Sequence, residues 1–207
     1  LDELKHRYGL AEEDFVSSEL AFVPAGGPRE VGLDRALIGG YGQDDGLCSF
    51  VGASAITELP GNPEHTTLVY LVDHEEVGNI NNAGVRSRFL EHNLGRMLTR
   101  EAKGKDPAPD ALAALLDHTE ALSADVSQGL NPLFPGTEDP LNTAKLGFGL
   151  TIKSMKPGFD GSPALRSRLR RILAQDKIAW QTYAYKVDGG GGGTIGADLQ
   201  ELNMDVV

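Results

Sequence analysis

Cysteine is all but missing from this chain. Cys48 stands alone among 207 residues, so no internal disulfide can form, and a zinc site made of several thiolates is excluded. Basic residues are scarce as well: 19 Lys and Arg face 30 Asp and Glu, for a formal charge of −11. That balance leaves no broad positive surface for nucleic acid. The one basic cluster, residues 166–171, has the spacing of a solvated helix face. Apolar runs are short, and none approaches the ~18 to 20 residues that cross a bilayer, so no membrane span is expected. A reducing, cytoplasmic setting fits the thiol count. What remains, 40% hydrophobic and 24% charged residues, is ordinary for a globular protein. The length suits one domain and part of a second.

Neither end reads as a natural boundary. The chain opens on Leu1, already in helical pattern, and closes on Met204-Asp205-Val206-Val207, which resembles the first half of a strand. An internal portion of a longer protein is expected. Residues 1–8 read as the end of a helix stopped by Gly9, residues 11–15 as an acidic turn, and residues 15–23 as a strand broken by the Gly- and Pro-rich stretch 24–28. A turn at 41–46 leads into a helix over 47–59 that ends at Pro60, and an apolar strand over 68–72 follows. Helices are then predicted through Val85, Phe89, Leu94 and Leu98, over 111–118, over 163–176, and from the glycine loop through Leu202. Strands are predicted over 121–126, 147–153 and 180–187. The alternation of strands and helices from 47 onward predicts an α/β fold.

Chemistry is expected where the run Leu68-Val69-Tyr70-Leu71-Val72 ends in Asp73-His74-Glu75-Glu76-Val77-Gly78. A buried strand would deliver Glu75 and Glu76 side by side to a sheet edge, where α/β folds place their active sites. Adjacent carboxylates there repel each other and lose hydration, so a cation, a proton or strong donors must compensate. The simplest compensator is a metal ion. Asp44 and Asp45 before a helix and Asp125 after a strand repeat the design of an acid at an element's end. A dinuclear hydrolase needs such parts: a carboxylate bridging two cations, others holding each cation, and a free one to take a proton from water. Taken singly, each acid reads equally well as a helix cap or a strand end. His74-Glu75 begins like the His-Glu-x-x-His zinc motif, but Gly78 falls where the second histidine belongs. His74 is read as structural or as a neighbour of the ligands. Cys48 reads as a small buried apolar residue. The glycine loop 188–196 fits neither a dinucleotide fingerprint nor a Lys-Ser/Thr phosphate loop. Gly192, Gly193 and Thr194 are read as a wall facing substrate, the bland alternative being a flexible connection.

These residues resemble the dinuclear zinc aminopeptidases of the aspartyl aminopeptidase and vacuolar aminopeptidase I type. The likeness rests on Gly42-Gln43-Asp44-Asp45, Asp73-His74-Glu75-Glu76-Val77-Gly78, Ser123-Ala124-Asp125 and Gly192-Gly193-Thr194-Ile195-Gly196, in that order along the chain. The resemblance implies that Asp44 bridges two metals, with Asp45 as the second candidate. It also implies that Glu75 is the general base and that Glu76 and Asp125 are metal ligands. Two divalent ions are implied, zinc with cobalt or manganese as alternatives. So is hydrolysis of acidic or neutral N-terminal residues from peptide substrates. The implied fold is a three-layer α/β sandwich with a mixed central sheet. Residues 1–38 would be the tail of a β-rich inserted dimerisation domain, and 39–207 part of the catalytic domain. Self-association of dimers into a larger homo-oligomer is implied too. Gly46 and Asn79 depart from residues common in relatives, and the two histidine ligands of the family are not in this sequence. A chain with three of five ligands is expected to bind metal weakly and to be inactive alone. The rival readings are a dinuclear deacylase or carboxypeptidase on a related sheet, and a non-catalytic assembly module.

Overall fold

A computed structural model describes residues 1–103, 105–156, 159–186 and 194–207, with the side chains of 154–156 outside that description. The chain divides into two compact units, Leu1–Asp44 and Asp45–Val207.

The first unit opens with α1 (Asp2–Tyr8), whose acids Asp2 and Glu3 lie in the first turn and whose bases Lys5, His6 and Arg7 lie in the last. That arrangement complements the helix dipole. Gly9, at φ 71°, closes the helix as expected, its amide bonded to Lys5 O. The acidic turn is a short 3-10 helix, Glu12–Phe15, in which the Asp14 carboxylate accepts the Ala11 amide at 2.7 Å. Residues 16–23 do not form the predicted strand: they belong to no ladder, and Val16 is 86% and Phe22 100% exposed. Alternation can extend a chain, but a strand also needs a neighbour to pair its N–H and C=O groups. The strands of this unit lie further on, as a hairpin of β1 (Arg29–Val31) and β2 (Leu37–Gly39), antiparallel with Glu30 opposite Ile38.

The boundary between the units falls inside α2 (Gln43–Thr57). This helix begins four residues before the predicted start, so the sequence read as a turn, Gln43 to Gly46, is its first turn. Asp44 and Asp45 thereby sit at the positive end of a helix dipole, which favours carboxylates. In the second unit the apolar run 68–72 joins no ladder among the described residues, so the predicted buried strand is not formed. The run is only partly buried: Tyr70 and Val72 pack against the core while Leu68 and Leu71 remain exposed. Glu75–Val77 form a 3-10 turn bounded by His74 at φ 62° and Gly78 at φ 98°.

Further elements are α3 (Phe89–Glu101), α4 (Ala111–Asp117), β3 (Glu120–Ala121), β4 (Leu150–Lys156), β5 (Phe159–Asp160), α5 (Pro163–Gln175), β6 (Trp180–Ala184), α6 (Ile195–Gln200) and β7 (Asp205–Val206). β4 is flanked by β5, antiparallel, and β6, parallel, while β3 pairs with β7 in parallel. Mixed helices and small parallel sheets make this an α/β arrangement, as the alternation predicted. The core joins Val85, Leu90, Leu116, Phe159, Leu199, Met204 and Val206. α5 is capped by Ser162 and started by Pro163. Its arginines are not simply solvated: Arg166 donates to Gly161 O, Arg168 pairs with Glu120, and Arg170 lies 4.9 Å over the Trp180 ring. No described helix is long and apolar enough to cross a membrane.

Candidate metal centre

Two predicted site segments meet in the second unit. Asp45, in the first turn of α2, and Asp125, just after β3, bring carboxylate oxygens within 4.8 Å of one another. Asp44 precedes Asp45 in the same helical turn. Asp125 leaves β3 where the ladder with β7 ends, and the Ser123 amide still bonds Val207 O at 2.8 Å. Of the predicted strand 121–126, only Ala121 lies in the ladder, followed by this one bond. The acid that follows is half-buried, its side chain 24% exposed.

Carboxylates gathered in this way need positive charge. Lys153, on β4, supplies some of it: its Nζ donates to Asp125 Oδ2 and to Val126 O, both at 2.8 Å. Lys153 is only 14% exposed, so this charge-assisted pair is shielded from bulk water. The lysine escaped the sequence reading, although its place directly after Leu150-Thr151-Ile152, within a predicted strand, was a visible signal. Cys48, one helical turn beyond Asp45, is only partly buried. Its thiol is pushed up to about 11 by burial first, then by a hydrogen bond to Asp45 and the charges of Asp45 and Asp125, with Lys153 opposing. Burial is the larger cause, and the negative charge of the cluster adds to it.

Glu75 and Glu76 stand apart from this close group. Glu75 is half-buried and Glu76 exposed on the turn after the apolar run. His74 keeps to its own loop, its Nε2 3.1 Å from the Asn81 amide and 3.4 Å from Asp73 Oδ2. Thr194 is buried, and its hydroxyl shares a 2.7 Å hydrogen bond with Ser123 Oγ. Gly192 and Gly193 lie outside the described residues. A second feature was missed from sequence. Asp198 is buried on α6 and accepts from Asn79 Nδ2 at 2.7 Å and Arg86 Nε at 2.6 Å. That contact pushes the Arg86 guanidinium further up from its ordinary value.

The donor set is hard oxygen, one carboxylate pair close enough to share a cation, with Asp44 and the Glu75–Glu76 turn offering more of the same. Carboxylate oxygens of this kind bind divalent cations in general, zinc among them, without selecting one by themselves. Comparison with known proteins points the same way. Residues 1–202 match the family model described as aminopeptidase I zinc metalloprotease (M18). A probable M18 family aminopeptidase 1 of Borreliella burgdorferi is 40% identical over 204 residues, 94% of this chain and 44% of that protein. The crystal structure of an M18 aminopeptidase from Thermotoga maritima superposes with a TM-score of 0.89 at 38% identity, over 100% of this chain and 46% of its own. Aminopeptidase I from Clostridium acetobutylicum gives 0.85 at 38% identity, over 99% and 44%. The dodecamer of yeast mApe1, at 22% identity and TM-score 0.65 over 86% of this chain and 40% of that one, shares the fold. The chain thus spans less than half the length of the relatives it matches.

Proposed function

Because the chain belongs to the M18 family of aminopeptidase I zinc metalloproteases, we propose that its protein is a metal-dependent aminopeptidase releasing acidic or neutral residues from peptide N-termini. The observation that carries this reading is the approach of Asp45 and Asp125 within 4.8 Å, in a chain whose acidic motifs follow the family's order.

Asp44 would bridge two divalent ions, with Glu76 and Asp125 each holding one. Bound there, the ions supply a polarised scissile carbonyl and a water acidified toward neutrality. The chain's own groups do the rest. Glu75 takes the proton from the attacking water and passes it to the departing amine. Its half-buried setting keeps bulk water from competing for that proton. The free carboxylate oxygens orient the substrate's α-ammonium, which restricts cleavage to chain ends. Lys153 holds the Asp125 carboxylate in one rotamer by its 2.8 Å bond. Residues 39–207 would be part of a three-layer catalytic sandwich and residues 1–38 the tail of a dimerisation insert. The dodecameric yeast relative supports assembly of dimers into a larger particle.

The test is made on the full-length protein with zinc supplied. Glu75→Gln is expected to lower kcat at least about a thousandfold, the scale of lost general base catalysis, while bound zinc stays within about 20% of wild type. Glu76→Ala and Asp125→Ala are expected to lose zinc as well as turnover. Turnover of Glu75→Gln at the wild-type rate refutes the assignment, and cleavage of amino-blocked but not free peptides refutes the reaction class.

A further inference from the structure

The turn carrying Glu75 and Glu76 belongs to a loop that closes on itself. The Asp73 amide bonds Ala83 O at 3.1 Å, the Asn79 amide bonds His74 O at 2.8 Å, and the Arg86 amide bonds Asn79 O at 3.2 Å. Gly84 lies so close to this bend that a methyl group on it would sit 2.4 Å from Asn79 O. Such bonds fix the loop's internal shape, but they do not fix where the loop sits.

Its placement comes from Val85, buried in the core, and from α6. Asp198 is buried, its side chain 7% exposed, and both its oxygens are committed to the loop: Oδ2 to Asn79 Nδ2 at 2.7 Å, Oδ1 to Arg86 Nε at 2.6 Å. The same helix reaches the second acidic segment. Thr194, its N-cap residue, shares a 2.7 Å hydrogen bond with Ser123, two residues before Asp125. Gly196 permits the approach, since a methyl group there would lie 3.2 Å from Ser123 Oγ and 2.9 Å from the Phe159 ring. Thr194 and Asp198 are four residues apart, so one helix face addresses both segments. A buried carboxylate is costly to keep as a mere staple, because an apolar side chain of similar size often packs as well or better. Its two lone-pair directions, in contrast, fix the orientation of what they bind.

Resting on the aminopeptidase reading, we propose that Asp198 is a positioning residue for the Glu75–Glu76 turn. Through Asn79, Arg86 and the Thr194–Ser123 bond, α6 sets the general base and its neighbouring ligand in register with Asp125. Asp198 touches no reacting atom; it acts through the backbone it anchors.

The experiment uses the full-length protein loaded with zinc. Asn79→Asp places a second carboxylate against Asp198, and the exchanged pair Asn79→Asp/Asp198→Asn restores an amide facing a carboxylate. Three readouts are taken: amide hydrogen exchange, zinc content, and kcat with KM on a free-amino peptide. In Asn79→Asp the amides of residues 79 and 86 are expected to exchange at least about tenfold faster while those of Ile152 and Thr182 keep their rates. Zinc content is expected to fall, and kcat to drop at least about tenfold with KM within about twofold, the scale of a small misplacement of a reacting group. The double variant is expected to recover kcat to within about threefold of wild type. Gln200→Ala, which removes the helix's separate bond to Asp160 O, is expected to change none of these. Unchanged exchange in Asn79→Asp, loosened amides with normal kcat, or no recovery in the exchanged pair overturns the proposal. Should the wild-type protein cleave no peptide, the aminopeptidase reading fails instead, and exchange together with zinc content decides the role of Asp198.

Discussion

At the scale of single residues, the acidic cluster is best read through Cys48. Its thiol is held up to about 11, from an ordinary value of 9.0, by burial and then by Asp45. Raising the pKa of an acid favours its protonated form in the folded state. The unfolded chain therefore deprotonates first, and this contribution to stability is fully present below pH 9.0 and lost as pH rises through about 11. In protein stripped of divalent ions, alkylation of Cys48 by iodoacetamide is expected to remain slow at pH 8.5. It should rise only toward pH 11, whereas an unperturbed thiol already reacts readily between about pH 8.5 and its ordinary value of 9.0. Asp45→Asn is expected to move the alkylation profile to lower pH, because it removes the formal charge that disfavours thiolate. A profile centred near pH 8.5 in the wild type would contradict the described contact.

The elements show which parts of the fold were legible in sequence. Helices announced themselves where punctuation or periodicity was clear: Gly9 after α1, the helical spacing from Pro163 for α5, and the compact apolar stretch of α4. Strands were read less well, because alternation in a sequence says nothing about the neighbour a strand requires. Residues 15–23 and 68–72 carry strand-like patterns without a ladder, while β1 and β2, three residues each, were too short to register. The candidate site was legible as acids at element ends. Lys153, Asn79, Arg86 and Asp198 were not, since each acquires its role from a partner remote in sequence. α6 gives the sharpest test at this scale. Phe159, 6% exposed, cannot swing away from a methyl group placed 2.9 Å from its ring on Gly196. Gly196→Ala is thus expected to destabilise the fold by about 1 to 3 kcal/mol, the usual cost of overpacking. A lower urea midpoint at unchanged slope would register it. A loss below about 0.5 kcal/mol would show that α6 is free to shift.

For the molecule as a whole, surface area is the telling quantity. The chain exposes 15705 Å² for 22.1 kDa, whereas compact monomers of this mass expose roughly 9,300 Å² by the usual scaling. Treating the two units as separate bodies raises that figure only to about 11,000 Å². The surplus is apolar at many points: none of the 15 residues of α2 is buried, Phe50 is 69% exposed, and Leu68 and Leu71 are 53% and 58% exposed. A surplus of several thousand Å² has the size of an obligate interface, and large apolar side chains exposed together on α2 and the run 68–72 mark a surface meant to be covered. The 207-residue polypeptide produced alone is therefore expected to bind the dye ANS and to associate with rising concentration in sedimentation velocity, and added zinc should not abolish either effect. The full-length protein, in which the same positions would be covered, is expected to bind ANS at least about fivefold less per chain. A polypeptide that stays monomeric and dye-silent would mean that α2 and the run 68–72 pack against this chain itself in solution. Equal dye binding by both forms would mean that the added polypeptide covers other surfaces.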